Sequence, residues 1–297
     1  MKPKNILRLA FELAVSAVFA FVVALPAAAQ DSDHDRNHWK ECSVKTLHSR
    51  FGFFAQGTLF KSDSGATLTP PVPFVSSGVF TCDGEGNVSG SYNLNVGGGL
   101  ILTGQTIAGT YVVNPDCTYS ATLPGGSGLP FDRAGTITGE GKNQETHIIY
   151  TNPDGSVFAY GTLKRTPEWC SLKTLKGNYA LFGDELIFVS ATAIIPRATA
   201  GLLTFDGEGN FEGAATGNTN GGITQGGFKG TYTVTDDCEV SAEIDVTSGP
   251  NIGVVIHEVG SVTGERESRE IHDIFTTVTS PSGSPQHWVF TDTLKKQ

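Results

Sequence analysis

The sequence predicts an all-β protein made of two tandem antiparallel eight-stranded barrels, and three observations carry that prediction. The first is an internal repeat: Cys170-Ser171-Leu172-Lys173-Thr174-Leu175 restates Cys42-Ser43-Val44-Lys45-Thr46-Leu47, and later motifs recur in the same order. The second is composition. Among 297 residues there are 37 Gly and 18 Phe but a single Met, and charged residues make up only 17%, a balance that favours strands and tight turns over helices. The third is periodicity, with alternating apolar runs recurring at intervals of about ten residues and no helical period between them.

Residues 1–29 read as a signal peptide. Lys2, Lys4 and Arg8 precede an apolar run from Leu13 to Leu25, and Pro26-Ala27-Ala28-Ala29 supplies a small-residue cleavage site, with Glu12 the one discordant residue. The run is short for a bilayer span, which makes an uncleaved anchor the weaker alternative, and no later segment is apolar enough to cross a membrane as a helix. The expected location is secreted or periplasmic. Residues 30–41 are polar and aperiodic, a flexible lead-in. Asp31, Asp33, His34, Asp35 and His38 within it have metal-ligand chemistry but no rigid framework to hold an ion.

Repeat 1 occupies residues 42–166 and repeat 2 residues 167–297, joined near Thr166-Pro167-Glu168. Strands are expected over 50–60, 72–82, 87–96, 109–113, 118–123, 134–139, 146–151 and 157–163 in repeat 1. Repeat 2 follows the same plan over 178–189, 199–205, 210–215, 227–234, 240–246, 254–262, 270–277 and 288–294. An eight-stranded meander can close on itself, which removes its edges and leaves an interior either filled with side chains or able to hold one small ligand. A β-sandwich in each repeat is the alternative. The short connection sets the two barrels side by side.

Five cysteines in an exported chain point to disulfides. Cys42 and Cys170 open the repeats, and Cys117 and Cys238 share a later position, so the duplication pairs Cys42 with Cys117 and Cys170 with Cys238. Cys82, whose counterpart is Phe205, is left as a free thiol. It is either a small buried apolar residue or a reactive, intermolecular one.

Asp83-Gly84-Glu85-Gly86-Asn87 and Asp206-Gly207-Glu208-Gly209-Asn210 begin like a calcium loop. Val88 and Leu94, or Phe211 and Gly217, then stand where an EF-hand has Gly and Glu, so both are read as hairpin turns. Gly97-Gly98-Gly99 and Gly221-Gly222 lack the Lys-Ser/Thr and the helix of a phosphate cradle and are read as loops or bulges. Glu145 with His147, and Glu270 with His272, are matched pairs two residues apart, so each shares one strand face. Facing a cavity, such a pair could act as acid and base; facing solvent, it is a polar surface pair. No third ligand accompanies either pair, so no metal site and no cofactor are expected. Neither a Gly-x-Ser-x-Gly elbow nor a His-Glu-x-x-His segment is present to support hydrolase or metalloprotease chemistry. A formal charge of −10 without clustered Lys and Arg argues against nucleic acid as a partner.

The succession Cys-Ser-x-x-Thr-Leu, Gly177-Asn178-Tyr179, Leu203-Thr204-Phe205-Asp206-Gly207-Glu208-Gly209-Asn210, Gly230-Thr231-Tyr232-Thr233-Val234 and Asp237-Cys238 resembles a largely uncharacterised group of secreted bacterial β-barrel repeat proteins, over both repeats. Repeat 1 departs from it at Ser49, Phe51 and Cys82, where repeat 2 has Gly177, Tyr179 and Phe205. In strand count and in its Gly-x-Tyr opening strand the chain is also similar to the calycin-like barrels of the lipocalins, avidin and allene oxide cyclase, although the lipocalin Gly-x-Trp is missing. Fold likeness does not transfer function.

The function expected from sequence is therefore a secreted two-barrel protein that binds a small apolar or amphipathic molecule or serves as an extracytoplasmic interaction module. A barrel-cavity isomerase or cyclase using the Glu-x-His pairs is one alternative, and a structural envelope protein is another. Nothing in the sequence sets the oligomeric state.

Overall fold

In each repeat the Cys-Ser-x-x-Thr-Leu motif forms one turn of 3-10 helix, Val44–Leu47 and Leu172–Leu175. Thr46 Oγ1 accepts the Ser43 amide at 2.9 Å, and Thr174 Oγ1 accepts the Ser171 amide at the same distance, so the side chains satisfy backbone that the short turn leaves unpaired. The turn drives Leu47 or Leu175 into the core. The tyrosine of each Gly-Thr-Tyr run fastens it there: Tyr111 donates to the Val44 and Leu47 carbonyls at 3.0 and 3.1 Å, and Tyr232 to the Leu172 carbonyl at 3.0 Å. Disulfides Cys42–Cys117 and Cys170–Cys238 tie the same corners.

The computed structural model describes residues 41–62, 64–124, 132–190 and 193–297. The expected signal peptide, nearly all of the lead-in and its Asp and His candidates lie outside these residues. No helix among the described residues is long and apolar enough to cross a membrane.

Repeat 1 contributes β1 (His48–Lys61), β2 (Thr67–Asp83), β3 (Asn87–Val96), β4 (Leu100–Val113), β5 (Thr118–Thr122), β6 (Arg133–Thr138), β7 (Glu145–Tyr150) and β8 (Val157–Arg165). They form a closed antiparallel barrel, sealed where β1 pairs with β8. Repeat 2 contributes β9 (Gly177–Ser190), β10 (Ala193–Phe205), β11 (Asn210–Thr219), β12 (Gly222–Val234), β13 (Glu239–Val246), β14 (Val255–Thr263), β15 (Glu270–Thr279), β16 (Pro285–Gln286) and β17 (Trp288–Lys296). This second sheet has one strand more than the first barrel. It is a nine-stranded sheet made into a ring by the pairings of β14 with β15 and β17 with β9. The extra strand arises because the chain doubles back after β15, where Ser280–Ser284 make a turn that lays β16 on Val278 and Thr279. Neither repeat is a sandwich.

The Asp-Gly-x-Gly-Asn segments are turns that need no ion. Asp83 Oδ1 accepts the Glu85 and Asn87 amides at 2.7 and 3.0 Å, and Asp206 Oδ1 accepts the Glu208 and Asn210 amides at the same distances. The intervening glycines take positive φ, 77° and 104° in one copy and 79° and 107° in the other, where a β-carbon would be strained. Hydrogen bonds from the Asn87 and Asn210 side chains hold the two aspartates below the ordinary carboxylate range.

The duplication extends to the ladder register. Phe80 lies opposite Phe51, and Leu203 opposite Tyr179. Ala121 lies opposite Arg133, and Ala242 opposite Glu258. Ile148 lies opposite Gly161, and Asp273 opposite Asp292. These pairings assign inward positions of one repeat to counterparts in the other.

Apolar side chains join the two sheets. Val75, Ile274 and Val289 form a buried cluster with Phe54, Leu186, Phe188 and Val259 around it. Asn95 reaches across to donate to the Phe275 and Trp288 carbonyls, both at 2.8 Å, and Ser77 donates to the Val259 carbonyl at 3.2 Å. Gly52 is the tightest approach, since a β-carbon there would run into Thr263 Cγ2 and Ser261 Oγ. Gly52→Leu is expected to lower stability by about 2 kcal/mol or more by forcing these faces apart, on the scale of overpacking a buried contact. Chemical denaturation checks this, and an unchanged midpoint would show that the junction yields freely.

Candidate functional site

The two interiors differ because the residues at matched ladder positions differ. Barrel 1 is filled. Phe51, Phe53, Phe74, Phe80, Tyr92, Leu94, Tyr111, Tyr119 and Tyr150 are all buried in its core. Arg133 sits among them, its guanidinium 4.5 Å from the centre of Phe53, 5.3 Å from Phe80 and 5.0 Å from Tyr150, with Nη2 donating to Tyr150 Oη at 3.1 Å. The ring faces offset the burial of this cation.

Repeat 2 replaces bulk with space and acid. At the places of Tyr92 and Leu94 it has Ala215 and Gly217, by the matched pairings of β2 with β3 and β10 with β11. At the places of Arg133, Ile148 and Gly161 it has Glu258, Asp273 and Asp292. A cavity of about 120 Å³ results inside the second ring. Its walls are largely apolar, including Phe205, Phe228, Ile244, Phe275, Trp288 and Phe290, and exposed Gln225, Ser248 and Pro250 stand on its rim.

At one side of this cavity four carboxylic acids come from four strands: Glu185 on β9, Glu258 on β14, Asp273 on β15 and Asp292 on β17. Glu185 is provided for. It accepts from Arg197 Nη1 at 3.2 Å and from Thr199 Oγ1 at 2.6 Å. Burial nevertheless raises its pKa against the pull of Arg197. The other three have less: backbone amides of Asp292 and of Asp273 itself support Asp273, and Arg197 draws on Asp292 without bonding it. They are 7%, 4% and 5% exposed, each has one oxygen with no hydrogen-bond partner, and ligating oxygens of the three lie within 4.8 Å of one another. Asp273 and Asp292 face each other directly in the β15–β17 ladder, an arrangement that destabilises when both are charged. Burial raises the pKa of all three. Asp273 and Glu185 raise Glu258 further, and Asp273, Glu258 and Glu185 raise Asp292 further.

Local backbone makes room for the cluster. Gly183 lies opposite Asp292, and a β-carbon there would occupy the space of Asp292 Oδ1 and the Phe290 ring. The β14–β15 ladder shifts register between His257 and Glu258, the irregularity that a bulge introduces where a side chain is re-aimed.

The Glu-x-His pairs lie elsewhere, on outer faces. Glu145 and His147 alternate with buried Thr146 and Ile148, with His147 Nε2 3.9 Å from Glu145 Oε1 and the His147 side chain exposed to solvent. Glu270 and His272 alternate with Ile271 and Asp273 and are mostly covered, with Lys164 and Phe54 of barrel 1 against them. Burial pushes Glu270 up, but His272 at 3.3 Å and Lys164 at 2.8 Å outweigh it and hold the carboxyl well below its ordinary range. His272 lies against Phe54, ring centres 5.9 Å apart, so this pair belongs to the junction and not to the cavity. Cys82 is buried and unbridged, and burial pushes its thiol pKa up to about 12, the opposite of an activated nucleophile.

The cavity acids carried a sequence signal of their own. Glu258 is in phase with Val254, Ile256 and Val262, Asp273 with Ile271 and Phe275, and Asp292 with Phe290 and Leu294. A carboxylate on the apolar phase of a strand is the anomaly that marks each of them.

No family model matches the chain, and no curated protein matches it. Two solved structures are similar at 10% identity. One is a Nitrosomonas europaea protein provisionally designated AttH, with a TM-score of 0.26 over 83% of this chain and 92% of that one. The other is a protein of unknown function from the DUF3598 family of Nostoc punctiforme, with a TM-score of 0.25 over 86% of this chain and 98% of that one.

Proposed function

We propose that this is a secreted or periplasmic binding protein whose second ring, closing as a barrel around its cavity, takes one small amphipathic molecule. Barrel 1 serves as a filled scaffold against which the second ring is packed. The observation that carries the reading is the contrast at matched ladder positions: Tyr92 and Leu94 plug one interior, while Ala215 and Gly217 leave the other open. Two disulfides and the absence, among the described residues, of a helix able to cross a membrane are compatible with the location. Aromatic walls with a few convergent polar groups are the usual make-up of a small-molecule site.

The reading is tested by transplanting the plug. Benzyl alcohol, a neutral compact probe, is expected to bind the wild type in ligand-observed NMR, and the double substitution A215Y/G217L is expected to abolish the signal while leaving circular dichroism unchanged. Binding that survives in the folded double variant would put the ligand somewhere other than this cavity.

A further inference from the structure

The second ring contains three acids that none of its cations bonds: Arg197 draws on Asp292 from a distance but is paired with Glu185. Arg197 is the cation nearest to them in the cavity wall, and its Nη1 is already bonded to Glu185. Thr199 is likewise turned to Glu185. Glu258 Oε1, Asp273 Oδ1 and Asp292 Oδ1 therefore face the interior unpaired, more than nine-tenths buried, at positions that repeat 1 fills with Arg133, Ile148 and Gly161. Buried carboxylates without partners are among the most costly groups a fold can carry, so a protein that keeps three together has a use for them.

Resting on the cavity reading above, we propose that the ligand of the second ring is a primary amine on a compact apolar body, its ammonium seated among Glu258, Asp273 and Asp292. The geometry suits that cation. An ammonium carries three N–H donors, and three oxygens each at about 2.8 Å around one nitrogen stand less than about 5 Å apart. The cluster holds its oxygens within 4.8 Å. Aromatic rings adjoin the acids: Phe275 and Phe290 have centres 3.8 Å apart, and Trp288 lies 6.3 Å from Phe275. Such rings bury the apolar body and also favour a cation. A divalent metal fits less well, because three carboxylates leave several coordination places for water, and the remaining walls of this cavity are mostly apolar. An anionic ligand would find no cation free to pair with it, since Arg197 is held by Glu185. Size restricts the class further. At about 120 Å³ the space is smaller than the cavity of about 150 Å³ that holds benzene, so it encloses the ammonium and part of a compact apolar body, the rest of which reaches the rim.

Three probes of one shape separate the possibilities: benzylamine, benzyl alcohol and benzoate, titrated calorimetrically into the full-length mature protein at pH 7. Benzylamine is expected to bind at least tenfold more tightly than benzyl alcohol, and benzoate not at all. Benzylamine affinity is expected to weaken at pH 5, because seating the ammonium must displace protons from the buried acids and that displacement becomes harder as pH falls. Glu258→Gln, which keeps shape and volume, should erase the preference for the amine while benzyl alcohol still binds, and Asp273→Asn provides the same test at a second position. Equal affinity for benzylamine and benzyl alcohol would overturn the amine assignment and leave the cavity reading standing. Binding of none of the three would overturn both. Manganese binding that Glu258→Gln abolishes and benzylamine does not displace would show the cluster to be a metal site instead.

Discussion

Asp273→Asn is expected to make the protein more stable at pH 8, by about 2 kcal/mol or more, and to flatten a decline in stability that the wild type shows between pH 4 and pH 8. Burial raises the Asp273 pKa from 3.8 to about 8 in the fold. The folded state then holds a proton that the unfolded chain gives up near pH 4. A group with its folded pKa raised contributes stability that is complete below the unfolded pKa and lost as pH rises through the folded pKa, at a limiting rate of about 1.4 kcal/mol per pH unit. The charged groups lining the same space are Glu185 from β9, Arg197 from β10, Glu258 from β14 and Asp292 from β17. Burial is what presses Asp273 towards its neutral form, against backbone hydrogen bonds that favour the charge, and an amide in its place removes the penalty. Glu270, Asp83 and Asp206 act in the opposite sense. Their folded pKa values are depressed, so they contribute stability above the unfolded carboxylate pKa and lose it as pH falls. The difference between wild type and variant isolates Asp273 from these. Denaturant midpoints for both proteins at pH 4, 6 and 8 decide the matter, and parallel curves would mean that Asp273 is ionised in the fold without cost.

The second large effect concerns the disulfides. Replacing Cys170 and Cys238 with serine is expected to cost about 4 kcal/mol, the loop-closure value for a separation of 68 residues, and Cys42 with Cys117 closes a comparable 75. The consequences are not equal. Barrel 1 retains a solid aromatic core, whereas the second ring has a cavity at its centre and three buried acids with an unpaired oxygen each, so it has less packing in reserve. The Cys170–Cys238 variant should therefore show the larger fall in thermal midpoint. Access differs too. Cys170 and Cys238 are fully buried, while Cys42 and Cys117 are partly exposed. Mild reductant without denaturant, followed by alkylation and mass spectrometry, should open Cys42–Cys117 first. Simultaneous reduction of both bridges, or the reverse order, would contradict this picture of the two interiors.

Much of the fold was readable before any coordinates because its determinants are local. The Cys-Ser-x-x-Thr-Leu repeat encodes a capped turn, Asp-Gly-x-Gly-Asn encodes a hairpin through its own side-chain hydrogen bonds, and alternation encodes strands. Equivalent cysteines named the pairs. Strand ends were the weakest part. β4, β10 and β12 run several residues beyond the expected spans, through Gly104, Pro196 and Gly226, because partner strands supply the hydrogen bonds that local composition argues against.

The site was legible only in part. That Glu145 shares a face with His147, and Glu270 with His272, follows from a period of two; which face looks inward does not, and it is the outer one in both copies. What the sequence determined alone is the repeat, the strands and the covalent ties, all of which depend on neighbours along the chain or on matching positions in the duplicate. Tertiary structure decided which interior is filled and which is hollow. That outcome depends on Ala215 and Gly217 leaving the space that Tyr92 and Leu94 fill in the first barrel, and on the pairing of β14, β15 and β17, which brings Glu258, Asp273 and Asp292 to one point where burial raises the pKa of each.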